Sequence, residues 1–365
     1  MITIIGGGLI GLSIAEYLTY RNCEVQIFEK NELGQEASWA AAGYLDFNIP
    51  WGEEALFSLC KFSYDCFPEF IDRIKQESTV DPEYVRSGSL TLGWTLEDEV
   101  QMKVVEDRMQ KRQIDFEWFS KKQVQASEPD IASDIARALY LPVTRQVRSP
   151  RLLQALTQVL NHRQVLFHTH ETIQAFHIHQ NRVESIETSQ RRIPIDQLVI
   201  ASGAWTSLLL NQLGMPNWIK PIRGQAILFY SPQIQLKHIL FTPTVYVVPR
   251  LDGRIFVGST LEDVGFDKSV TSEGLSKLKN GARKVFPKFQ ESLIEKTWSG
   301  LRPKSVDEYP ILGKLSPLEN VWMASGHYKH GIVQAPGTAR LITQSILNEQ
   351  PELSLDPFLP QRLAI

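Results

Sequence analysis

Short β-branched runs bounded by glycine alternate with helical periodicities along this chain. Ile2–Ile5 reads as a strand, the glycines after it as a tight turn, and Leu9–Tyr20 as a helix. Cys23–Phe28 reads as a second strand, with Val25 and Ile27 on one face, and ends at Glu29. Leu33–Leu45 (LGQEASWAAAGYL) is small and alanine-rich, and Phe47 to Gly52 is a loop around Pro50. Ala55–Gln76 carries helical spacing through Leu56, Leu59, Phe62, Phe67, Phe70 and Ile74. From Tyr84 the pattern turns to short strands (SGSLTLGW), then a helix over Leu96–Arg112. A strand-rich piece follows at Ala138–Val147, and Pro150 stands at the mouth of a helix over Arg151–Asn161.

Residues 164–200 alternate with period two (VLFHTH, IQAFHIH, RVESIETS, DQLVIASG), which predicts a small antiparallel insertion. Leu198–Ala201 is a further strand running into the turn Ser202-Gly203. Pro221–Tyr230 and Thr244–Thr260 read as strands, the latter hinged at Asp252-Gly253. Ser272–Val285 is a helix and Val321–Ala324 a strand. The loop GHYKHG then leads to a helix over Ile332–Asn348, with Pro336 expected in its first turn. This order predicts an α/β fold, α+β overall, in two parts. A Rossmann-like dinucleotide-binding domain is assembled from 1–80, 145–216 and 300–365, and an antiparallel-sheet substrate domain from 81–144 and 217–299. No flexible linker separates them, so they are expected to share an interface with the site in it.

The opening turn is Gly6-Gly7-Gly8-Leu9-Ile10-Gly11. Gly6 allows the turn, Gly8 lets backbone approach a pyrophosphate, and Gly11 lets helix and strand pack closely. The phosphates would lie at the positive end of the helix. Glu29 stands where a carboxylate accepts both hydroxyls of an adenosine ribose, and it would repel a 2′-phosphate, which counts against NADP. A glycine-rich turn alone is a weak signal; strand, turn, helix, strand and acid in this order are a strong one. The uncharged run Ile2–Ala15 is not read as a signal or membrane segment. It has no basic n-region, Glu16 interrupts it, and it is too short to span.

At 365 residues, 43% hydrophobic and 22% charged, the chain has the make-up of about two globular domains. A net charge of −3 leaves no electrostatic footprint for nucleic acid. Cys23, Cys60 and Cys66 make neither a metal pattern nor an even disulfide set, which fits a reducing cytoplasm. His168, His170, His177 and His179 fall at i, i+2 on two strands. No carboxylate pattern flanks them, and they are read as solvated strand faces rather than metal ligands.

Three further segments look functional together: SWAAAGYL (38–45), SGLRP (299–303) and SGHYKHGI (325–332). With IIGGGLIGLSIAEYL, LVIASGAW, PIRGQ, YVVPR-x-DGRIFVGST and YPILG, they give the chain its resemblance to a known family. It is similar to the flavin-dependent amine oxidases of the D-amino-acid oxidase superfamily, and among them to the glycine oxidases of thiamine biosynthesis. The matching stretches run from residue 2 to about 341.

The resemblance implies FAD, with its phosphates on Gly6, Gly8, Leu9, Ile10 and Gly11 and Glu29 on the ribose. Lys30, Ala37 and Ser38 would lie along the adenylate, and Ile173 would line the adenine side. Ala42, Gly43 and Tyr44 would lie against the isoalloxazine, with Gly203 in the cofactor wall. His327, Tyr328, Lys329, His330, Gly331 and Ile332 would run past the flavin pyrimidine edge, where a helix start offers its positive end. The first histidine is His162 and no cysteine follows Cys66, so the expected attachment is noncovalent.

Arg302 is the candidate substrate anchor, because a guanidinium fork holds a carboxylate bidentately. Pro303 biases Arg302 toward extended backbone. Tyr246 matches the family tyrosine whose hydroxyl contacts the same carboxylate. The implied reaction is oxidative deamination of glycine or another small amine by hydride transfer, with O₂ as acceptor and peroxide as product. It requires positioning more than an acid or base.

A D-amino-acid dehydrogenase passing electrons to a quinone or carrier keeps the same fold, and a flavin-binding subunit without turnover is a further reading. An NAD-dependent dehydrogenase leaves SWAAAGYL and GHYKHGI unexplained. A homo-oligomer is compatible with all of these readings. The chain departs from the family pattern at Lys329-His330, where Arg-Asn is common, and at Asp307-Glu308, where Asp-Gly is common. Tyr44 stands where a methionine is often found, which narrows the pocket.

Overall fold

The computed structural model describes residues 1–50 and 52–363. Trp51 of the expected 47–52 loop, and the last two residues of the expected 300–365 piece, lie outside the described residues. A six-stranded sheet is built outward from Ile2–Ile5, which pairs in parallel with Val25–Phe28 and Gln197–Ile200. Leu166–His168 and Val321–Ser325 extend it in parallel on either side, and Ile311–Lys314 closes one edge antiparallel. All of Ile2–Ile5 is buried, as a strand covered on both faces must be.

Alternation along that strand separates two cores. Ile2 and Ile4 face the helices Leu9–Tyr20, Glu54–Glu77, Ser149–His162 and Gly331–Ile346. Ile5 faces the other way, toward the helix Thr206–Gln212 and a three-stranded antiparallel sheet. Glu16, which interrupts the apolar run of the first helix, is fully buried but paired. Arg73 grips both carboxylate oxygens at 3.0 and 2.9 Å, and Arg163 reaches one of them at 3.4 Å.

The insertion expected over 164–200 is smaller than its pattern suggested. Ile173–His179, Arg182–Thr188 and Arg192–Pro194 form the antiparallel sheet, turning at Gln180-Asn181 with both residues left-handed. Leu166–His168 instead joins the parallel sheet beside Val25–Phe28. The reason is the preceding helix Ser149–His162, a crossover that returns the chain in the parallel sense. Among the described residues, no group of three or more His, Cys, Asp or Glu is placed to hold a metal. No described helix is long and apolar enough to cross a membrane.

The second sheet has eight strands. In spatial order they are Ile294–Ser305, Ile219–Tyr230, Arg254–Gly258, Tyr246–Pro249, Ile239–Phe241, Ser89–Gly93, Arg137–Leu141 and Glu117–Ser120. Its pairings are antiparallel apart from Ile239–Phe241 beside Ser89–Gly93. The hairpin expected at Asp252-Gly253 joins Tyr246–Pro249 to Arg254–Gly258. The helix Ser272–Val285, capped by the Thr271 hydroxyl, covers one face through Leu278, Ala282 and Val285. The other face carries Ala226, Val248 and Phe256 and turns toward the six-stranded sheet. Ile294–Ser305 runs through the boundary expected at 299/300.

Pro336 lies within the closing helix Gly331–Ile346, past its first turn rather than in it. It leaves the Ile332 carbonyl without its helical N–H. Burial of Val333, Ala335, Ala339, Leu341 and Ile342 holds the helix through that loss.

Candidate active site

Between the two sheets lies a cavity of about 550 Å³. One end is built from backbone. Gly6 turns at φ +115°, and a Cβ there would meet the Ala201 carbonyl at 2.5 Å. Gly8 precedes the helix Leu9–Tyr20 without any side-chain cap. The Leu9 N–H donates to Ser38 Oγ at 2.9 Å, and that helix start is otherwise open to an anion. Gly11 touches the strand: a Cβ there would sit 2.0 Å from the Gly6 carbonyl. Glu29 reaches back to the loop, accepting from the Gly7 N–H at 2.9 Å and the Asn31 N–H at 3.0 Å. An uncapped helix start and an acid fixed beside it suit a pyrophosphate followed by a ribose.

The closing helix also starts on this cavity. It too lacks a side-chain cap, and Gly331, Ile332 and Val333 line the wall. The exposed helices Leu96–Lys111 and Ser272–Val285 are capped by Thr95 and Thr271. Side-chain caps are also absent at Glu54–Glu77, Ser149–His162 and Thr206–Gln212, so it is their place on the cavity that lets these two helix starts offer a positive end to a ligand.

Strand periodicity explains how distant segments meet. On Ile294–Ser305 the residues Trp298, Gly300 and Arg302 share one face. Trp298 Nε1 donates to the Ala40 carbonyl at 3.1 Å, and a Cβ on Gly300 would meet Ala40 Cβ at 2.6 Å. WSGLRP therefore seats the small residues of SWAA and leaves Arg302 beyond them, in the cavity. The loop of GHYKHGI docks on the same strand, the Tyr328 N–H donating to the Pro303 carbonyl at 3.0 Å. Hydroxyls tie it to SGAW: Thr206 Oγ1 donates to Ser325 Oγ at 2.9 Å, and Ser325 Oγ to the Gly203 carbonyl at 3.2 Å.

At the other end side chains dominate. Arg302 donates to Ser259 Oγ at 2.6 Å and to the Thr260 carbonyl at 3.3 Å. No described carboxylate pairs with it. Gly224, diagonal to it on Ile219–Tyr230, makes room: a Cβ there would lie 2.1 Å from Arg302 Nη1. The neighbouring Gln225 turns the other way and fixes the loop behind, bonding Glu262 Oε1 at 2.8 Å and Thr271 Oγ1 at 2.9 Å. Tyr246 packs edge-on to Tyr44 at 5.2 Å and parallel to Phe256 at 6.0 Å.

Burial governs the titratable groups here. It pushes the Tyr44 phenol far above its ordinary range, Tyr246 and Asp46 adding to the rise and Arg302 opposing it. Burial lowers His327 to about 3, and its Nε2 meets Thr338 Oγ1 at 3.0 Å. Burial and Lys329 lower His330 to about 4, so both imidazoles are neutral at physiological pH. Lys329 is itself lowered by burial, as is Lys30, whose ammonium sits 3.3 Å over the Trp205 ring.

Of the residues expected from sequence, all but Gly11 line this cavity. Gly11 instead packs the helix against the strand. Three contributors were not singled out. Arg250, half-buried, donates to the Ala42 carbonyl at 2.6 Å and the Val147 carbonyl at 3.3 Å, holding the AAGY turn; desolvation lowers it only to about 10, so it stays cationic. Its signal was the final arginine of YVVPR. Gly224 was present in PIRGQ without a role. Asp46 had no motif at all.

The profile of the FAD dependent oxidoreductase family matches residues 1–345. A glycine oxidase of Pseudomonas putida is 31% identical over 372 residues, covering 99% of this chain and 98% of that protein. The bifunctional protein ThiO/ThiG of Trichormus variabilis is 31% identical over 98% of this chain, which spans 54% of that longer protein. The crystal structure of glycine oxidase from Geobacillus kaustophilus superimposes with a TM-score of 0.93 at 27% identity. That likeness covers 98% of this chain and 97% of that one.

Proposed function

The chain belongs to the FAD dependent oxidoreductase family, and on that premise we propose that it oxidatively deaminates glycine or a related small amino acid or amine. It is an FAD-dependent amino-acid oxidoreductase. The observation that carries the substrate reading is Arg302, a guanidinium in the cavity wall with no described carboxylate partner, facing the same space as Tyr246. Arg302 takes the substrate carboxylate in a bidentate grip and Tyr246 adds a hydroxyl. The aromatic wall of Tyr44, Tyr246 and Phe256 excludes water and fixes the α-carbon.

A flavin held against Ala42–Tyr44 and the 327–332 loop would supply the hydride-accepting chemistry, and these residues would hold it beside the α-carbon. The uncapped start at Gly331–Val333 offers its positive end to negative charge arising nearby. With the imidazoles of His327 and His330 neutral, Lys329 is the cation that residues 327–332 bring to that wall. The product imine hydrolyses to a 2-oxo acid and ammonia, with O₂ as the acceptor giving peroxide. A place in supplying the thiazole of thiamine is the biological role we assign, supported by the likeness to a protein named ThiO/ThiG. The cofactor unit is drawn from 1–80, 145–216 and 300–365, and the substrate unit from 81–144 and 217–299.

The test is a visible spectrum of the purified protein, anaerobic addition of glycine, sarcosine and larger amino acids, then air. Bleaching by a small amino acid with peroxide on aeration is expected. Bleaching that persists in air would assign a carrier as acceptor instead. Arg302→Ala is expected to keep the yellow colour and lose reduction; loss of FAD in that variant would overturn the role given to Arg302.

A further inference from the structure

The strand that presents Tyr44 does not stop at Tyr44. Tyr44–Leu45 pairs with Arg145–Gln146, and burial goes on alternating as far as Ile49, whose N–H turns back to the Phe47 carbonyl at 2.8 Å. Leu45, Phe47 and Ile49 are buried in the helical core, while Tyr44 and Asp46 turn to the cavity and line it. Asp46 is half-buried and lines that space. The Asn48 N–H holds Oδ1 at 2.9 Å. Among the described residues no cation lies within ion-pair distance of this carboxylate.

The surroundings of Asp46 are sparse in charge. Burial raises the Asp46 carboxyl, and the Asn48 and Phe47 N–H groups and, through space, Arg108 of the helix Leu96–Lys111 oppose that rise. Arg302 bonds Ser259, the Tyr246 ring packs edge-on to Tyr44, and Asp46 lines the cavity two residues beyond Tyr44, so a guanidinium and a carboxylate share one wall. A pocket that sets a guanidinium at one place and a carboxylate at another sorts ligands by where their charges sit, and low-dielectric walls strengthen the sorting.

We infer that Asp46 is a specificity-determining residue: it rejects amines that carry a second carboxylate on the side away from Arg302, and admits those that are neutral or cationic there. This rests on the proposed carboxylate grip of Arg302. The substrate class that follows is the monocarboxylic amino acid. An unpaired carboxylate is costly to enclose unless it meets a donor or a cation. A ligand amine or ammonium group answers that need, and a ligand carboxylate makes it worse.

The probes are acetate and malonate, titrated into the FAD-loaded protein while the flavin absorbance band is followed. The measured quantity is the ratio of the two dissociation constants in wild type, Asp46→Asn and Asp46→Ser, with bound FAD as the check on folding. Wild type is expected to bind malonate more weakly than acetate, and both variants to narrow that gap by about tenfold, the scale of one unit charge across a half-buried pocket. A ratio unmoved in both variants would overturn the inference, as would a wild type that binds malonate as well as acetate. Acetate binding that survives Arg302→Ala would overturn the carboxylate grip itself and this inference with it. An unmoved ratio with that grip intact would overturn only the role of Asp46.

Discussion

At the Gly6–Gly11 end of the cavity the protein offers backbone, and at the Arg302 end it offers side chains. The first end is made of residues chosen for what they lack. Gly6 and Gly11 stand where a Cβ would meet a carbonyl at 2.5 and 2.0 Å, and Gly8 leaves a helix start uncapped. The second end is made of groups chosen for what they carry: a guanidinium, two phenols and a carboxylate. A backbone cradle binds any ligand with the right phosphates, which suits a cofactor shared by many enzymes. Side chains can be exchanged one at a time, which suits a substrate that differs between relatives. The two ends should therefore fail differently when altered.

The largest failure is expected at the backbone end. Gly11→Val places a branched side chain against the Gly6 carbonyl, which is main chain and cannot rotate aside. The loop and helix must separate, and the anion site separates with them. The purified variant is expected to be colourless, with its flavin band lost. A yellow Gly11→Val protein would break the comparison at its stronger side.

Next comes a glycine at the side-chain end, where the outcome differs. Gly224→Ala adds one methyl group 2.1 Å from Arg302 Nη1. The guanidinium must move by about the width of that methyl, and a displacement on the order of 1 Å costs roughly 100-fold in rate. kcat/KM for the amine is expected to fall by that amount while bound FAD is unchanged. Loss of colour here would mean that the two ends are not separable.

The difference between the ends also decides what can be read from the chain alone. Backbone requirements leave a spaced glycine signature: strand, GGGLIG, helix, strand and Glu29 pointed to a dinucleotide from local order. Arg302 and Tyr246 carry no local signature. They lie more than fifty residues apart in the sequence, on different strands, and only likeness to a family singled them out. Arg250 and Gly224 sat inside quoted segments, but their roles are tertiary: one holds carbonyls of the Ala42 turn, the other leaves space for a guanidinium. Asp46 sits in the run Leu45-Asp46-Phe47-Asn48-Ile49, whose apolar–polar alternation is visible in the sequence, but that its carboxylate faces the cavity is a tertiary fact. The misplaced strand Leu166–His168 has a similar cause, since period-two alternation does not tell parallel from antiparallel pairing.

A third expectation concerns the loop where the ends meet. His327 is held neutral by burial, with its imidazole pushed down to about 3. In the unfolded chain the same group titrates near ~6.5. Below that pH the unfolded state binds a proton that the folded state refuses, so stability is lost as pH falls from about 6.5 toward the folded value. Above pH ~6.5 the group contributes no slope. The limiting slope for one such group is about 1.4 kcal/mol per pH unit. Denaturant unfolding of wild type and His327→Gln between pH 7 and pH 5 checks it, taken at roughly half-unit steps. The variant is expected to have the shallower acid limb, and equal slopes would remove His327 from the account.

The smallest effect sharpens the comparison most, because it removes one atom. Tyr246→Phe keeps the ring that packs on Tyr44 and Phe256 and deletes only the hydroxyl. If that hydroxyl shares the carboxylate with Arg302, its loss costs about one charge-assisted hydrogen bond, roughly tenfold in kcat/KM. Arg302 would still anchor the ligand, so the reaction persists, and the flavin band stays in place because no backbone has moved. A variant with wild-type kinetics would make Tyr246 a packing residue and leave Arg302 to hold the carboxylate alone. A variant that loses FAD would be more damaging, since a side-chain atom at one end would then govern the backbone cradle at the other.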